Sequence, residues 1–363
     1  MNYQQRLYSI DALRGFDMLW IMGGAEFIMA LHKWLQTDFT AALATHMEHV
    51  PWHGFHFYDI IFPLFLFLAG VSFPFSFRKR QQQGQSTRQI VAHIVKRVVV
   101  LVLLGMLYNG FLNFEWPARY ASVLGRIGIA YGLAALMAIF LSRKTQYIIF
   151  GAILILYWVA LMLIPVPGAG AGILTPDKCL VGYIDRLLLP GRFYFEHYDP
   201  EGILSTFPAM ATAQLGIFCG FILQTNTGPY RKVFQLAIFS ICLIAGGLLW
   251  NIIFPINKNI WTSSFVLFAG GISVLLLALF YLIVDVWNFR KWAFPFAVIG
   301  MNSITIYLAQ PILGLYTPHQ FFFAGMSKYL PANLQETFLT FTYMLTCWAF
   351  LYFLYRKKIF LKV

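Results

Sequence analysis

Residues 54–77 read GFHFYDIIFPLFLFLAGVSFPFSF, an apolar run that contains one Asp, Asp59, and no Glu, Lys or Arg. A helix needs about 20 mostly apolar residues to cross the hydrocarbon core of a bilayer, so this stretch is long enough to span a membrane. The whole chain of 363 residues has the same character, with 60% hydrophobic and 11% charged residues. Soluble domains carry about 25% charged residues. The composition therefore excludes a soluble enzyme or a disordered chain and indicates an integral membrane protein.

Ten stretches of the chain are candidate membrane spans. Seven contain no Lys, Arg, Asp or Glu, and they cover residues 98–114, 147–164, 203–224, 233–254, 263–284, 294–316 and 337–355. Three carry charges within apolar sequence, and they cover residues 9–31, 54–77 and 120–141. Because charges inside a span are costly and usually functional or paired, these three spans are where a site is expected. The pattern predicts an all-α, polytopic transmembrane helix bundle of about ten spans, built as a single domain over residues 1–363.

The Lys and Arg residues concentrate in alternate connections between the predicted spans. Cytoplasmic loops carry an excess of these residues, so both termini are expected in the cytoplasm. The first span is too long and too charged for a cleavable signal peptide, so we expect it to remain in the protein. The chain contains no Asn-x-Ser/Thr glycosylation site, which favours a multi-pass protein of a bacterial inner (cytoplasmic) membrane.

Two outer connections, residues 32–53 and 165–201, are long enough to form a cap over the outer face. The second is rich in Pro, Gly and aromatic residues. Long connections of this kind in compact proteins are usually functional or disordered, and the aromatic content favours a folded lid.

Five of the eight histidines lie in the first outer connection and at the start of the second span, namely His32, His46, His49, His53 and His56. The spacing of the last four would align them on an unbroken helix and form a zinc site. Pro51 and Gly54 argue against an unbroken helix. An interfacial cluster without a chemical role and a single catalytic histidine, titrating near neutral pH, are the other two interpretations. The local pattern leaves all three open.

The intramembrane charges have a functional and a structural interpretation. Asp59 could orient a histidine ring, as the third member of a catalytic triad does, or pair with Arg14 or Arg126. Asp11, Arg14 and Asp17 are spaced three apart, so they share one helix face and can pair locally. Arg14 and Arg126 could bind a phosphate or form structural salt bridges.

Two polar segments lie at the predicted outer edge of the membrane. Residues 197–206 read HYDPEGILST and include Glu201, and residues 255–261 read PINKNIW and include Asn257, Lys258 and Asn259. The second segment could be a sugar-binding edge or a solvated turn.

The sequence resembles the heparan-α-glucosaminide N-acetyltransferase family of multispan membrane acetyltransferases. The matching motifs are SIDALRGFDM from Ser9, H-x-x-W-x-G from His49, DIIFPLFLFLAG from Asp59, VLGRIGIAY from Val123, YDPEGILST from Tyr198, NKNIWTSSF from Asn257 and GMNSITIYL from Gly300. These motifs cover nearly the whole chain.

The resemblance implies transfer of an acetyl group from cytoplasmic acetyl-CoA to the amino group of a glucosamine-type sugar on the periplasmic side. The catalytic histidine of the family matches His49, which would act as general base, and Asp59 is expected to hold its ring. Direct transfer and an acetyl-histidine relay both remain open. Free glucosamine, a glycan fragment or another amino sugar could be the acceptor.

The remaining site residues are assigned by expected chemistry. The CoA phosphates are expected to bind among Arg14, Arg126, Arg78 and Arg97. The acceptor sugar is expected to contact Glu26, Trp52, Glu201, Asn257, Lys258, Asn259 and Asn302, beneath an acceptor-side cap of residues 32–53 and 165–201. No metal and no nucleic acid are expected. The expected partners are the lipid bilayer, the amino sugar or glycan fragment and a second copy of the chain. An amino-sugar transporter without acetyl transfer is the alternative function.

Overall fold

The computed structural model describes residues 7–111 and 116–361, and this part of the chain is helical without named strands. Within these described residues, eight helical segments are long and apolar enough to cross a membrane: Phe57–Gln82, Thr87–Tyr108, Val123–Phe140, Arg143–Leu163, Thr206–Gln224, Pro229–Asn251, Ser263–Val286 and Ala332–Arg356. The prediction of an all-α, polytopic membrane protein is confirmed. The count of ten spans, the cytoplasmic termini and the single domain over residues 1–363 stay predictions.

The bounds of the α-helices are, in chain order, α1 Tyr8–Leu19, α2 Ala25–Leu35, α3 Asp38–His46, α4 Ile61–Gln82, α5 Thr87–Tyr108, α6 Val123–Phe140, α7 Arg143–Leu163, α8 Leu180–Leu188, α9 Thr206–Gln224, α10 Pro229–Asn251, α11 Ser263–Phe280, α12 Phe294–Met301, α13 Ser303–Ile312, α14 Tyr316–Ser327 and α15 Ala332–Arg356. A 3₁₀ turn, Phe57–Ile60, leads into α4, and two π-helical segments, Trp20–Gly24 and Tyr281–Val286, follow α1 and α11.

The first and ninth predicted spans are interrupted helices. Between α1 and α2 the chain passes through a π segment in which Gly23 has a φ of 123°. Between α12 and α13 the break falls at Asn302. Glycine tolerates a positive φ because it has no Cβ, so the sequence permits the first break. Hydropathy alone shows only an apolar run in both places.

The third predicted span, residues 98–114, differs in its bounds from the observed helix. Helix α5 starts at Thr87, where Ser86 caps its first turn, and ends at Tyr108. Lys96 and Arg97 lie within it, although hydropathy places the span after them. The last three residues of the predicted span lie outside the described part of the chain.

The described chain divides into two compact units. Unit 1 contains residues 7–50, 56–61 and 276–361, and unit 2 contains residues 51–55 and 62–275. In unit 1, α1 packs against α12 with direct backbone contact, because a Cβ on Gly15 would lie 1.7 Å from the carbonyl oxygen of Phe296. Gly300 meets the carbonyl oxygen of Asp11 in the same way, at 1.8 Å. Small residues permit such close helix packing in membranes.

Unit 2 is organised around α9, which is the most buried of its apolar helices. A Cβ on Gly70 of α4 would lie 2.0 Å from the carbonyl oxygen of Ala213, and one on Gly216 would lie 2.0 Å from that of Phe67. The glycine that ends the motif DIIFPLFLFLAG is therefore required for the packing of α4 on α9. The connection 165–201 contains α8 and is thus partly helical, and its role as a folded lid stays a prediction.

Candidate active site

His49 and Asp59 form a hydrogen-bonded pair in unit 1. The Nδ1 atom of His49 lies 2.8 Å from Oδ1 of Asp59. A carboxylate can only accept, so Nδ1 carries the hydrogen and the lone pair of the neutral ring lies at Nε2. The Asp59 side chain is 2% exposed, whereas that of His49 is 52% exposed. This geometry is similar to that of the histidine and the acidic residue in a catalytic triad.

The local chain holds Asp59 in position before the membrane helix begins. Its Oδ2 accepts hydrogen bonds from the backbone N–H groups of His56 at 2.9 Å and Val50 at 3.4 Å. The 3₁₀ turn from Phe57 places the carboxylate one turn ahead of α4. The Tyr58 ring lies 4.9 Å from that of His49. The carboxylate therefore binds two backbone donors and the imidazole together.

The histidines of residues 46–56 do not lie on one continuous helix. Helix α3 ends at His46, and the chain bends through the following residues, as Pro51 and Gly54 predict. His56 Nδ1 donates to the carbonyl oxygen of Glu48 at 3.0 Å, and the rings of His46 and His56 lie 5.4 Å apart. In residues 7–111 and 116–361, no group of three or more His, Cys, Asp or Glu side chains is arranged to hold a metal ion.

Trp52 and His53 lie in unit 2, where they contact the connection 165–201 and the turn that contains Asn257. Trp52 Nε1 donates to the carbonyl oxygen of Leu174 at 2.6 Å, and its ring lies 5.3 Å from that of Tyr198. The Asn257 amide donates to His53 Nδ1 at 3.3 Å. Burial lowers the pKa of His53, which favours its neutral form. The structure thus joins the histidine segment to both the 165–201 connection and the Asn257 turn.

The Asn257 turn is an ordered element. Asn257 is fully buried, and its Oδ1 accepts from the backbone of Ile260 at 3.1 Å. The Asn259 amide reaches the carbonyl oxygen of Pro51 at 3.5 Å, and Gly54 N–H donates to Ile256 O at 2.9 Å. The solvated-turn interpretation of this segment is wrong for Asn257. Lys258 and Asn259 lie on the same turn, so all three predicted residues of the segment are together in unit 2.

The DPEG motif forms a buried ionic cluster with Arg119. Arg119 donates through Nε and Nη2 to Asp199, at 2.8 and 2.7 Å, and Nη2 also contacts Glu201. Asp199 is fully buried. Burial alone would raise the pKa of Asp199, but the hydrogen bonds and charge of Arg119 outweigh it and lower that pKa. Burial raises the pKa of Glu201 against the opposing charges of Arg126 and Arg119.

The carboxylate of Asp185, in α8, binds the backbone of the same motif. Its carboxylate accepts from the backbone N–H groups of Ile203 at 2.9 Å and Asp199 at 3.4 Å. A Cβ on Gly202 would lie within 2.1 Å of that carboxylate, so only glycine fits. Burial raises the pKa of Asp185 to about 6, although the two backbone hydrogen bonds act in the other direction.

Arg126 contacts this motif through its guanidinium. Nη2 donates to the carbonyl oxygen of Gly202 at 3.1 Å and to Ser205, and the guanidinium lies 5.2 Å from the Trp261 ring centre. Its Nε and Nη1 are buried with no hydrogen-bond partner among the described residues. Arg126 therefore lies with Glu201 and Trp261 in unit 2. Arg119, Asp185 and Ser205 were not predicted as site residues, although the DPEG motif was a signal for a partner cation.

Arg14 and Glu26 lie in unit 1. Arg14 pairs with Asp11 at 3.4 Å, as their spacing predicts. Asp17 is fully buried, and neither of its carboxylate oxygens has a hydrogen-bond partner in the described chain, so its predicted local pairing is not observed as a hydrogen bond. Glu26 lines a cavity described below.

Asn302 lies at the break between α12 and α13. Its amide donates to Ile359 O at 3.0 Å, and its Oδ1 accepts from Leu361 N–H at 3.2 Å. Both ends of the amide therefore bind the C-terminal segment, which favours a structural role. Its predicted contact with the acceptor sugar stays a prediction.

Arg78 and Arg97 lie in unit 2, at the end of α4 and within α5 respectively. Arg78 is exposed. The Arg97 guanidinium lies 4.5 Å from the Tyr131 ring centre, and its Nε is buried without a hydrogen-bond partner in the described part of the chain. Nearby in sequence, Arg80 donates to His93 Nε2 at 2.7 Å. Arg97 is thus a half-buried cation whose Nε–H donor is unused among the described residues.

Known proteins similar to this chain include two curated acetyltransferases. The heparan-alpha-glucosaminide N-acetyltransferase of Mus musculus is 28% identical over 99% of this chain and 60% of its own length. The protein of the same name from Homo sapiens is 27% identical with the same coverage. The predicted resemblance to this family of membrane acetyltransferases is confirmed. The chain thus spans about 60% of the length of these relatives. A family profile described as a domain of unknown function, DUF5009, matches residues 6–110.

The similarity to these acetyltransferases extends over 99% of the chain. The family match to residues 6–110 covers the positions of both His49 and Asp59. Together with the apolar helices, the similarity identifies a multi-pass membrane protein. The location of the protein in a bacterial inner membrane stays a prediction.

Proposed function

We propose that this protein transfers an acetyl group from acetyl-CoA on the cytoplasmic side to the amino group of a glucosamine-type sugar on the periplasmic side. The observation that carries the proposal is the 2.8 Å hydrogen bond between His49 Nδ1 and Asp59. In this pair a histidine with a lone pair at Nε2 lies beside a buried carboxylate, and the family resemblance matches this histidine to the catalytic one, which supports the proposal. The names of the curated relatives support the reaction and the sugar class.

His49 acts as the general base in this proposal. Its Nε2 removes a proton from the sugar amine, and Asp59 holds the tautomer and stabilises the imidazolium that forms. The amine nitrogen bonds to the acetyl carbon, the bond from that carbon to sulfur breaks, and His49 returns the proton to the sulfur of CoA. The products are an N-acetylated sugar and free CoA. Direct transfer requires fewer steps than an acetyl-histidine relay.

The cationic side chains of unit 2 fit the phosphates of acetyl-CoA. Arg97 has a buried Nε with no partner among the described residues, and a guanidinium suits a phosphate because it presents several N–H donors in one plane. We assign the phosphates to Arg97 and Arg78. Arg14 pairs with Asp11, and Arg126 donates to the DPEG motif, so their phosphate contacts would have to use other donor atoms.

The acceptor sugar is proposed to contact Trp52, Glu201, Asn257, Lys258 and Asn259. The two joined outer segments of unit 2 support a capping role for residues 165–201. Glu26 is treated separately below. Association with a second copy of the chain stays a prediction.

The test uses proteoliposomes loaded with labelled acetyl-CoA and supplied with external glucosamine. Wild-type protein should form labelled N-acetylglucosamine outside, with free CoA retained inside. His49→Ala should lower this rate by about 10²–10⁴-fold, the usual contribution of a general base. It should leave acetyl-CoA binding within twofold of wild type.

Full turnover by His49→Ala would remove His49 from the mechanism. Uptake of unmodified sugar without CoA, with no acetylated product, would instead support the amino-sugar transporter. His46→Ala is the matched control, because His46 lies at the end of α3 and forms no ion pair with an acidic side chain among the residues that the structure describes. It should retain the wild-type rate.

A further inference from the structure

Unit 1 contains a cavity of about 620 Å³ that the proposed reaction does not use. This volume lies within the range of roughly 300–1,000 Å³ that is typical of small-molecule sites. Its polar and aromatic lining includes Glu26, Gln310, Tyr316, Gln320, Gln335 and Tyr343. The cavity is therefore large enough for a monosaccharide and combines polar side chains with apolar surface.

The interrupted first helix forms one wall of this cavity. Ile21 and Gly23 of the π segment line it, and Gly23 has a φ of 123°. π-Helical insertions occur frequently at functional sites. Trp20 of the same segment packs edge to face on Phe57, at 5.1 Å, in the 3₁₀ turn that contains Asp59. The wall of the cavity is thus in contact with the turn that orients His49.

The lining is rich in hydrogen-bond acceptors. The Gln310 amide nitrogen donates to Tyr343 Oη at 3.2 Å, and that of Gln335 donates to Leu330 O at 3.1 Å. Each amide keeps its carbonyl oxygen and one further N–H, so both side chains can accept from a ligand and donate to it. Such a cavity suits a molecule that carries several hydroxyl groups, which both donate and accept.

The two carboxylates of the cavity differ in their partners. Glu336 is paired with Lys33 at 2.6 Å. Glu26 forms no ion pair with any basic side chain in the described part of the chain, and its side chain remains accessible. Glu26 is therefore the group with uncompensated negative charge. A carboxylate surrounded by neutral acceptors favours an ammonium group that also carries hydroxyls.

We propose that this cavity binds an amino sugar in its ammonium form, with Glu26 contacting the ammonium and Gln310, Gln320 and Gln335 accepting from the hydroxyls. The tyrosine rings, Tyr316 and Tyr343, provide the apolar surface for the sugar ring. The inference rests on the proposed function only for the class of ligand. It makes Glu26 a binding residue and not a catalytic one.

The experiment measures sugar binding without turnover. Purified His49→Ala protein is titrated calorimetrically at pH 7 with glucosamine, N-acetylglucosamine and ethanolamine. Glucosamine should bind at least tenfold more tightly than either of the other two. N-acetylglucosamine lacks the cation, and ethanolamine lacks the ring and most of the hydroxyls.

Glu26→Gln in the same background should weaken glucosamine binding at least tenfold. Gln320→Ala should weaken glucosamine binding by a smaller factor. This variant replaces Glu26→Gln in the test if Glu26→Gln does not fold. Asp38→Asn removes an exposed carboxylate of α3 outside the cavity and should leave the affinity unchanged.

Equal glucosamine affinity with and without Glu26→Gln would overturn the proposal, and so would equal affinity for ethanolamine and glucosamine. These results are separable from a failure of the proposed function. Full acetyl transfer by the His49→Ala protein would contradict the general base, while binding in the cavity would be unaffected.

Discussion

Arg119 donates two hydrogen bonds to the buried carboxylate of Asp199, 80 residues further along the chain. The pair anchors the DPEG motif to the segment before α6. Arg119 also contacts Glu201, and its guanidinium lies 4.9 Å from the Tyr194 ring centre. One cation thus organises two acidic residues and one aromatic residue of unit 2.

Arg119→Gln should destabilise the protein strongly. Removing one partner of a buried ion pair costs about 3–5 kcal/mol, because the other charge remains buried without compensation. Thermal unfolding in detergent should show a clearly lower midpoint for this variant. Arg192→Gln replaces an exposed arginine in the connection 165–201, which also contains Asp199, and should leave the midpoint near wild type. Equal midpoints for the two variants would contradict a stabilising role of the Arg119 pair.

Asp59→Asn should lower the acetyl-transfer rate by roughly 10²–10⁴-fold, since an amide can bind the wrong tautomer of His49. The substitution keeps the side-chain shape, so the fold should be retained. The measurement is the rate of N-acetylglucosamine formation from pH 5 to pH 9, with thermal unfolding as a check on folding. Glu48→Gln changes an exposed carboxylate close in sequence and should keep the wild-type rate. An unchanged rate and pH profile in Asp59→Asn would show that the carboxylate does not position the base.

Gly15→Ala should prevent α1 from packing against α12. The added methyl group would lie 1.7 Å from Phe296 O, and backbone cannot move aside as a flexible side chain can. Overpacking costs about 1–3 kcal/mol or more, so the yield of folded protein and the unfolding midpoint should both fall. Gly151→Ala is the control, because nothing lies within 4 Å of a Cβ at that position of α7. A Gly15→Ala protein as stable as the control would contradict the observed helix contact.

Asp185 should make stability depend on pH. Its pKa is raised from 3.8 to about 6 in the folded protein, so the folded state holds the proton more tightly than the unfolded chain does. The contribution of Asp185 to stability is then greatest below pH 4 and falls as the pH rises from about 4 to about 6, by roughly 3 kcal/mol in all. Unfolding midpoints measured from pH 4 to pH 7 should fall more steeply for wild type than for Asp185→Asn, which cannot ionise. Asp38→Asn should follow the wild-type curve. A constant difference between wild type and Asp185→Asn would exclude this linkage.

The pairing of His49 with Asp59 could be predicted because the two residues are close in sequence. The turn before α4 brings residues 49 and 59 together, although they are ten positions apart. A carboxylate at the start of an apolar helix is expected to need a hydrogen-bond or charge partner. The pairing of Arg14 with Asp11 follows from helix geometry in the same way. By contrast, Asn302 looks like a site residue in its motif, yet its amide binds the C-terminal segment, which no local pattern could show.

The amino-acid sequence alone determined that this is a helical membrane protein and where most of its apolar helices lie. These features depend on hydropathy, which is a local property of the chain. The choice of His49 as candidate base came from the family resemblance, because the local pattern of histidines left three interpretations open. Only the tertiary structure decided that Arg119 binds Asp199, that Trp52 and Asn257 belong to one ordered outer region, and that Glu26 faces a cavity lined by Gln310 and Gln335. Those contacts join residues about 80 to 300 positions apart, and they depend on where glycines such as Gly15 and Gly70 let helices approach each other.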